Sequence, residues 1–307
     1  MNKVKLQIIA AYAFVCLIWG TSWMATRVGL DTLKPFVSSG LRFIVAALVI
    51  WIIMKFKNIK LQTDKTSLIL YSILIIFSFV LPSGLTYWGQ QFIPSGLASV
   101  LFSTYPFFTA IFAGLFLSEE KIRTGQIISM VISFTGIVVI FSNDITANFN
   151  LNILAMLAVF ISGVLQAGIA VTMKKYGNNL NPLSMNFIPM LVSGIILLVG
   201  GLILEDTSNL SFSTAAVSSI IFLAIFASVI SYTAYFWMLK KISVVILSLT
   251  AFITPIVALG AGVFFLGEKL SNMQIAGSIL VLCGILFANL GSSFYLIIKK
   301  RFAGRTI

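Results

Sequence analysis

The sequence predicts an all-α integral membrane protein of ten transmembrane helices, arranged as two inverted five-helix repeats. Three observations carry that prediction. Of the 307 residues, 59% are hydrophobic and only 9% charged, with a mean hydropathy of +1.08. A water-soluble exterior needs more polar cover than this, so lipid must be the solvent. Apolar runs, each close to the ~20 residues a helical crossing needs, follow one another with short polar interruptions. Finally, the stretch from Pro106 to Gly136 recurs from Pro255 to Gly284. Proline to glutamate spans 13 residues in both copies (Pro106 to Glu119, Pro255 to Glu268), and glutamine to glycine spans 10 (Gln126 to Gly136, Gln274 to Gly284).

The expected spans of the first repeat, residues 1–144, are 6–26, 35–54, 67–89, 93–117 and 124–142. Those of the second, residues 145–307 with a short basic tail, are 151–173, 182–204, 214–239, 243–266 and 272–298. The start Met1-Asn2-Lys3-Val4-Lys5 resembles a secretory leader. Its apolar run is too long for one and lacks a small-x-small site before a polar chain, so it reads as a retained first helix. Pro35 and Pro182 open the second helix of each repeat at an offset of 147, while Trp88 answers to Trp237 and Pro106 to Pro255 at 149. Continuous apolarity that tolerates Gly and Pro fits helices, whereas a barrel shows short alternating segments.

Charge placement orients the spans. Sixteen of the 20 Lys and Arg residues fall in segments on the side of the N-terminus, three (Arg27, Lys34 and Lys269) on the other, and Arg42 lies within a span. This positive-inside bias puts both termini in the cytoplasm; the expected location is a bacterial cytoplasmic membrane. The net charge of +12 therefore describes orientation, not nucleic-acid binding. Five spans per repeat invert the second copy, so the hairpins of Glu119 and Glu268 face opposite compartments. Cys16 and Cys283 lie in apolar runs and there is no histidine, so no disulfide, metal site or cofactor is expected.

Trp19-Gly20, Arg42, Tyr87-Trp88-Gly89-Gln90, Gly96-Leu97-Ala98-Ser99, Tyr105-Pro106, Glu119, Glu120 and Gly136, answered by Pro255, Gly267-Glu268 and Gly284, resemble the EamA-type branch of the drug/metabolite transporter superfamily. The resemblance covers nearly the whole chain as two tandem repeats. It implies a ten-helix exporter of amino acids, small metabolites or drugs that works without ATP. The second half lacks a counterpart to Arg42, the aligned residue being Pro189, so any role of that arginine belongs to one half.

Arg42 is the only charge deep within an apolar run. At about 2.5–3.5 kcal/mol near a helix centre it must face a cavity or a partner. It either attracts a substrate carboxylate or phosphate, or caps nearby carbonyls and snorkels. Trp19, Tyr87, Tyr105, Tyr232 and Tyr235 offer amphipathic faces to a solute, with hydrogen bonds from Gln90, Gln166, Ser103 and Thr104. Trp88 and Trp237 sit near helix ends and read as interfacial anchors. Gln166, an amide at bilayer depth, must find a partner. Pro106 and Pro255 free the carbonyls of Phe102 and Ala251, serving as hinges or as packing kinks. Glu119 and Glu268 either pair with Lys or Arg in gates or are solvated beside Lys121 and Lys269. The small residues of the fifth helix (Gly125, Ser129, Ser133) and the tenth (Gly277, Gly284, Ala288, Gly291) mark a close helix seam, between repeats or between two copies.

The expected partners are a small solute and the bilayer, with the chain a monomer or weak homodimer. Without histidine, a buried acid or a phosphate loop, an intramembrane enzyme or an ATPase has no machinery. A carrier fits the repeat better than a channel does. An importer or exchanger of a carboxylated or phosphorylated organic anion is the alternative to an exporter.

Overall fold

The computed structural model describes residues 3–117, 124–145 and 151–284. Glu119, Glu120, Lys121, Ala288 and Gly291 lie outside these residues. The described helices are α1 Lys3–Leu30, α2 Pro35–Phe56, α3 Lys65–Gly89, α4 Ser95–Phe116, α5 Thr124–Ile145, α6 Leu151–Tyr176, α7 Pro182–Leu204, α8 Thr214–Leu239, α9 Val244–Leu266 and α10 Asn272–Gly284. Among the described residues, all but α5 and α10 are long and apolar enough to cross a bilayer, which makes eight candidate spans. Trp51, Phe56, Leu204, Phe264 and Phe265 are exposed on the outside of the bundle, a surface that only lipid can solvate.

Small residues set the crossings, because van der Waals packing must hold helices together where lipid is the competing solvent. A Cβ at Gly40 of α2 would stand 2.5 Å from the backbone nitrogen of Leu198 in α7. One at Gly136 of α5 would stand 2.6 Å from the carbonyl oxygen of Gly277 in α10. Ser133 donates to the Val281 carbonyl at 3.0 Å across the same crossing. The small-residue seam thus joins α5 to α10 within one chain; the side chains of Gly125 and Ser129 are outside the described set.

Two irregularities recur in both halves. Ile75–Val80 of α3 and Leu223–Ile230 of α8 are π-helical, a wider winding that changes which backbone groups are paired. Helices α4 and α9 are interrupted, at Ser103-Thr104 and at Leu249, and resume at Tyr105 and Thr250. The two prolines differ in consequence. Pro106 stands in the first turn of its resumed segment, where no N–H partner is needed, whereas Pro255 lies inside Thr250–Leu266.

Hydrogen bonds between connections define two faces of the bundle. Thr32 and Ser211 are bonded at 3.2 Å, and Arg27 donates to the Gln90 carbonyl at 3.0 Å. These bring the α1–α2, α3–α4 and α7–α8 connections to one face. On the other, Gln62 donates to the Asn179 carbonyl at 3.0 Å and accepts from the Asn181 amide at 2.8 Å, which joins the α2–α3 and α6–α7 connections.

Candidate functional site

A cavity of about 1030 Å³, counted to its open mouth, lies between the two halves. Its walls include Trp19, Trp23 and Thr26 of α1, Arg42 of α2, Thr86, Tyr87 and Gln90 at the end of α3, and Phe102 and Tyr105 of α4. The second half adds Gln166 and Ile169 of α6, Tyr232 and Tyr235 of α8, and Thr250 and Thr254 of α9. Eight of the nine residues nominated from sequence as solute ligands line it. Ser103 does not: it is fully buried and donates to the Val100 carbonyl at 2.5 Å. Thr104 likewise satisfies the Leu101 carbonyl at 2.9 Å. Both hydroxyls serve the helix break itself.

Arg42 is the only charged side chain on the cavity wall among the described residues. Its Nε donates to Ser228 Oγ at 2.9 Å and its Nη1 to the Tyr87 hydroxyl at 3.2 Å. The guanidinium also lies 5.3 Å from the Phe43 ring centre. It neither caps carbonyls nor reaches the bilayer surface through these contacts. They use two of five N–H donors and are to neutral groups, so the positive charge is held at the cavity with donors to spare.

Much of the remaining wall is aromatic. Trp19 packs against Tyr232 and Tyr235 with ring centres 5.3 and 5.4 Å away. Tyr235 and Tyr105 share a hydrogen bond of 2.6 Å between hydroxyls, tying α8 to α4. Trp88, by contrast, packs on Phe92 and Trp237 under Lys241, both at helix ends.

Gln166 and Trp19 spend their polar groups on backbone. The Gln166 amide donates to the Ser78 carbonyl at 2.9 Å and accepts from the Ser78 hydroxyl at 3.1 Å. The Trp19 indole donates to the Ala227 carbonyl at 3.1 Å. Ser78 and Ala227 lie within the two π-helical segments, 149 residues apart, and Trp19 and Gln166 are 147 apart. Each half therefore holds the irregular helix of the other by an equivalent bond. Their polar edges position backbone, and only their remaining surface meets a solute.

Glu268 has partners that neither expectation, a Lys or Arg pair or a solvated carboxylate, named. Its carboxylate accepts from the backbone amides of Ser95 at 2.8 Å and Gly96 at 3.2 Å, the first turn of α4. Gly267, left-handed at φ 63°, turns the chain so that this carboxylate points back over α9 beside Gly262. Glu205, unnoticed in the sequence, does the same for α2, accepting from Phe36 at 2.9 Å and Val37 at 3.2 Å. Both helices begin after residues that give no side-chain cap, Lys34 and Pro94. Orphan amides and the positive end of a helix favour a carboxylate there. The one signal in the sequence was that absent cap.

The opposite face is held by lysines. Lys174 donates to the carbonyls of Leu239 and Ile242 at 2.7 and 2.8 Å. Lys240 donates to those of Asn178, at 2.7 Å, and Leu180. The Leu239 carbonyl ends α8, so Lys174 complements the same dipole from its other end, while Lys240 satisfies the connection after α6.

Fold and cavity together define a polytopic helical membrane protein built around an internal site. The profile of the EamA-like transporter family matches residues 6–142 and again 153–290, and the chain belongs to that family. It is a membrane transporter and not an enzyme. It is 29% identical over 286 residues to "Uncharacterized transporter YoaV" of Bacillus subtilis, covering 93% of this chain and 96% of that one. It is 27% identical to "Protein PagO" of Salmonella typhimurium, with 93% of each covered. Against "Uncharacterized inner membrane transporter YedA" of Escherichia coli K12, identity is 25% with 94% and 93% covered. A crystal structure described only as that of a protein superposes with a TM-score of 0.69 at 16% identity, covering 92% of this chain and 98% of that one. The likeness speaks to fold alone.

Proposed function

We propose that the chain exports amino acids or other small metabolites and drugs from a bacterial cytoplasm, by alternating access and without ATP hydrolysis. Two inverted five-helix halves, ten spans in all, rock about the central cavity with both termini in the cytoplasm. The reciprocal bonds of Trp19 and Gln166 to the two π-helical segments support that inversion, as does the sharing of faces by non-equivalent connections. Glu268 and Glu205 act as the gate on the face opposite the lysines, and the breaks near Pro106 and Pro255 are the hinges. The partners are the solute and the bilayer, with no nucleic acid and at most a weak homodimer.

One observation carries the solute class: a lone cation, Arg42, shares the cavity lining with Trp19, Tyr105, Tyr232 and Tyr235, and that lining has no carboxylate among the described residues. An amphipathic solute with one carboxylate suits that pairing of a guanidinium and aromatic rings. The charge of Arg42 equally favours the second reading, an exchanger of a carboxylated or phosphorylated anion. Counterflow into proteoliposomes with amino acids, sugars, nucleosides and cationic dyes decides among them. Arg42→Ala is expected to lower counterflow of anionic and zwitterionic solutes at least tenfold more than that of neutral ones, since a charge-assisted bond is worth about 1.5–3 kcal/mol. Equal losses for both would remove the assigned role.

A further inference from the structure

A second opening lies on the outside of the bundle, between α3, α4 and α6. It measures about 1010 Å³ counted to its mouth, and Phe77, Phe112, Phe116, Leu165 and Gly168 line it. Its walls are apolar apart from Thr172, whose hydroxyl is spent on the Gly168 carbonyl, and one end, where Lys175 and Tyr176 close α6. Gly168 leaves the floor empty: a Cβ there would touch only the Phe112 ring, at 3.8 Å.

We propose that this groove holds one acyl chain of an anionic phospholipid, with the phosphate at Lys175. Three observations favour that occupant. The groove runs along α6 from Val164 to Lys175, about 16 Å at 1.5 Å per residue, which matches one leaflet of a ~30 Å hydrocarbon core. Its mouth faces the bilayer, with Phe77, Phe116 and Tyr176 exposed. The polar end carries a cation and a tyrosine, the pair suited to the depth of lipid phosphates. Adjacent lysines divide the work: Lys174 turns inward to the Leu239 and Ile242 carbonyls, while exposed Lys175 lies 5.3 Å from the Tyr176 ring. An anionic headgroup is attracted there by charge and a zwitterionic one much less. Ile169 lines both this groove and the central cavity, so the middle of the acyl chain rests against a residue of the transport site's wall. None of this depends on which solute is carried.

The test is native mass spectrometry of the purified full chain, incubated with phosphatidylglycerol and phosphatidylcholine bearing the same chains. The wild type is expected to retain phosphatidylglycerol at least fivefold over phosphatidylcholine. Lys175→Ala, on an exposed surface, should bring that ratio near one. Gly168→Leu and Leu165→Trp, which fill the groove from two sides, should each cut retention of both lipids more than fivefold. Equal retention of the two lipids by the wild type would overturn the proposal. So would filled-groove variants that bind as the wild type does, competition by millimolar inorganic phosphate, or a wild-type dimer that Gly168→Leu splits into monomers.

Discussion

The two faces of the bundle solve the same problem with opposite chemistry. On one, Glu205 and Glu268 cap helix starts they do not belong to. On the other, Lys174 binds the end of α8 and Lys240 the connection that follows α6. The sign of each side chain follows from the backbone groups it meets. The reach differs more. Both carboxylates come from the second half of the chain and bind α2 and α4 of the first. Both lysines bind carbonyls within their own half. On the lysine face α7 and α9 start with their own caps, the Asn181 side-chain oxygen accepting from the Leu183 amide at 2.9 Å and the Ser243 hydroxyl from the Val245 amide at 3.2 Å. A movement of one half against the other must therefore release the carboxylate bonds but can leave the lysine bonds intact.

The largest effect expected from this contrast is at Glu268. Replacing it with alanine strands two amides in buried residues, which costs about 2–3 kcal/mol. The thermal midpoint should fall and the rate of counterflow should change with it. Gly262 offers an independent check, since a Cβ there would collide with the Glu268 carboxylate; Gly262→Val should reproduce the phenotype without touching the acid. An unaltered midpoint in both variants would break the comparison.

Lys240→Met should cost less, about 1 kcal/mol, because the carbonyls it leaves lie in a partly solvated connection. Its signature is a lowered midpoint with counterflow kinetics unchanged. Altered kinetics would mean that the lysine face also works between the halves.

The smallest effects are in pH. Bonds from the Ser67 hydroxyl and amide hold the Asp64 carboxyl below its usual range, and Ser208 does the same for Asp206. A folded value below the unfolded one stabilises fully above about pH 4 and is lost as acid titrates the folded group. Burial pushes Lys240 the other way, below the ordinary lysine value. The unfolded chain then binds more protons in the window just under that value, so stability rises with pH there. Thermal midpoints should dip slightly from pH 5 to 3, less so in Asp64→Asn, and show no loss from pH 8 to 9.5.

Much of this architecture was legible in residue order, because lipid imposes long apolar runs and charge bias marks the loops. The depth of Arg42 and the aromatic composition of α1 and α8 pointed to the cavity for the same reason: an ionisable or polar group in a span must face inward. Glu205 and the true partner of Glu268 were not legible. A carboxylate that caps a helix 169 or 173 residues away leaves no local pattern, only a missing cap at Lys34 and Pro94. The π-helical segments were equally silent, since Ile75–Val80 and Leu223–Ile230 read as ordinary apolar turns. Gln166 was seen to need a partner, but finding it in the Ser78 carbonyl required the packing of α6 on α3.

The inversion itself is tested most directly by compartment-specific labelling. In a chain with Cys16→Ala and Cys283→Ser, cysteine is introduced singly at Gln91 and at Lys241, which lie in the equivalent α3–α4 and α8–α9 connections of the two halves, and exposed to a membrane-impermeant maleimide. Lys241→Cys should react only from the cytoplasm and Gln91→Cys only from outside. Reaction of both from a single compartment would contradict two inverted halves around a shared cavity.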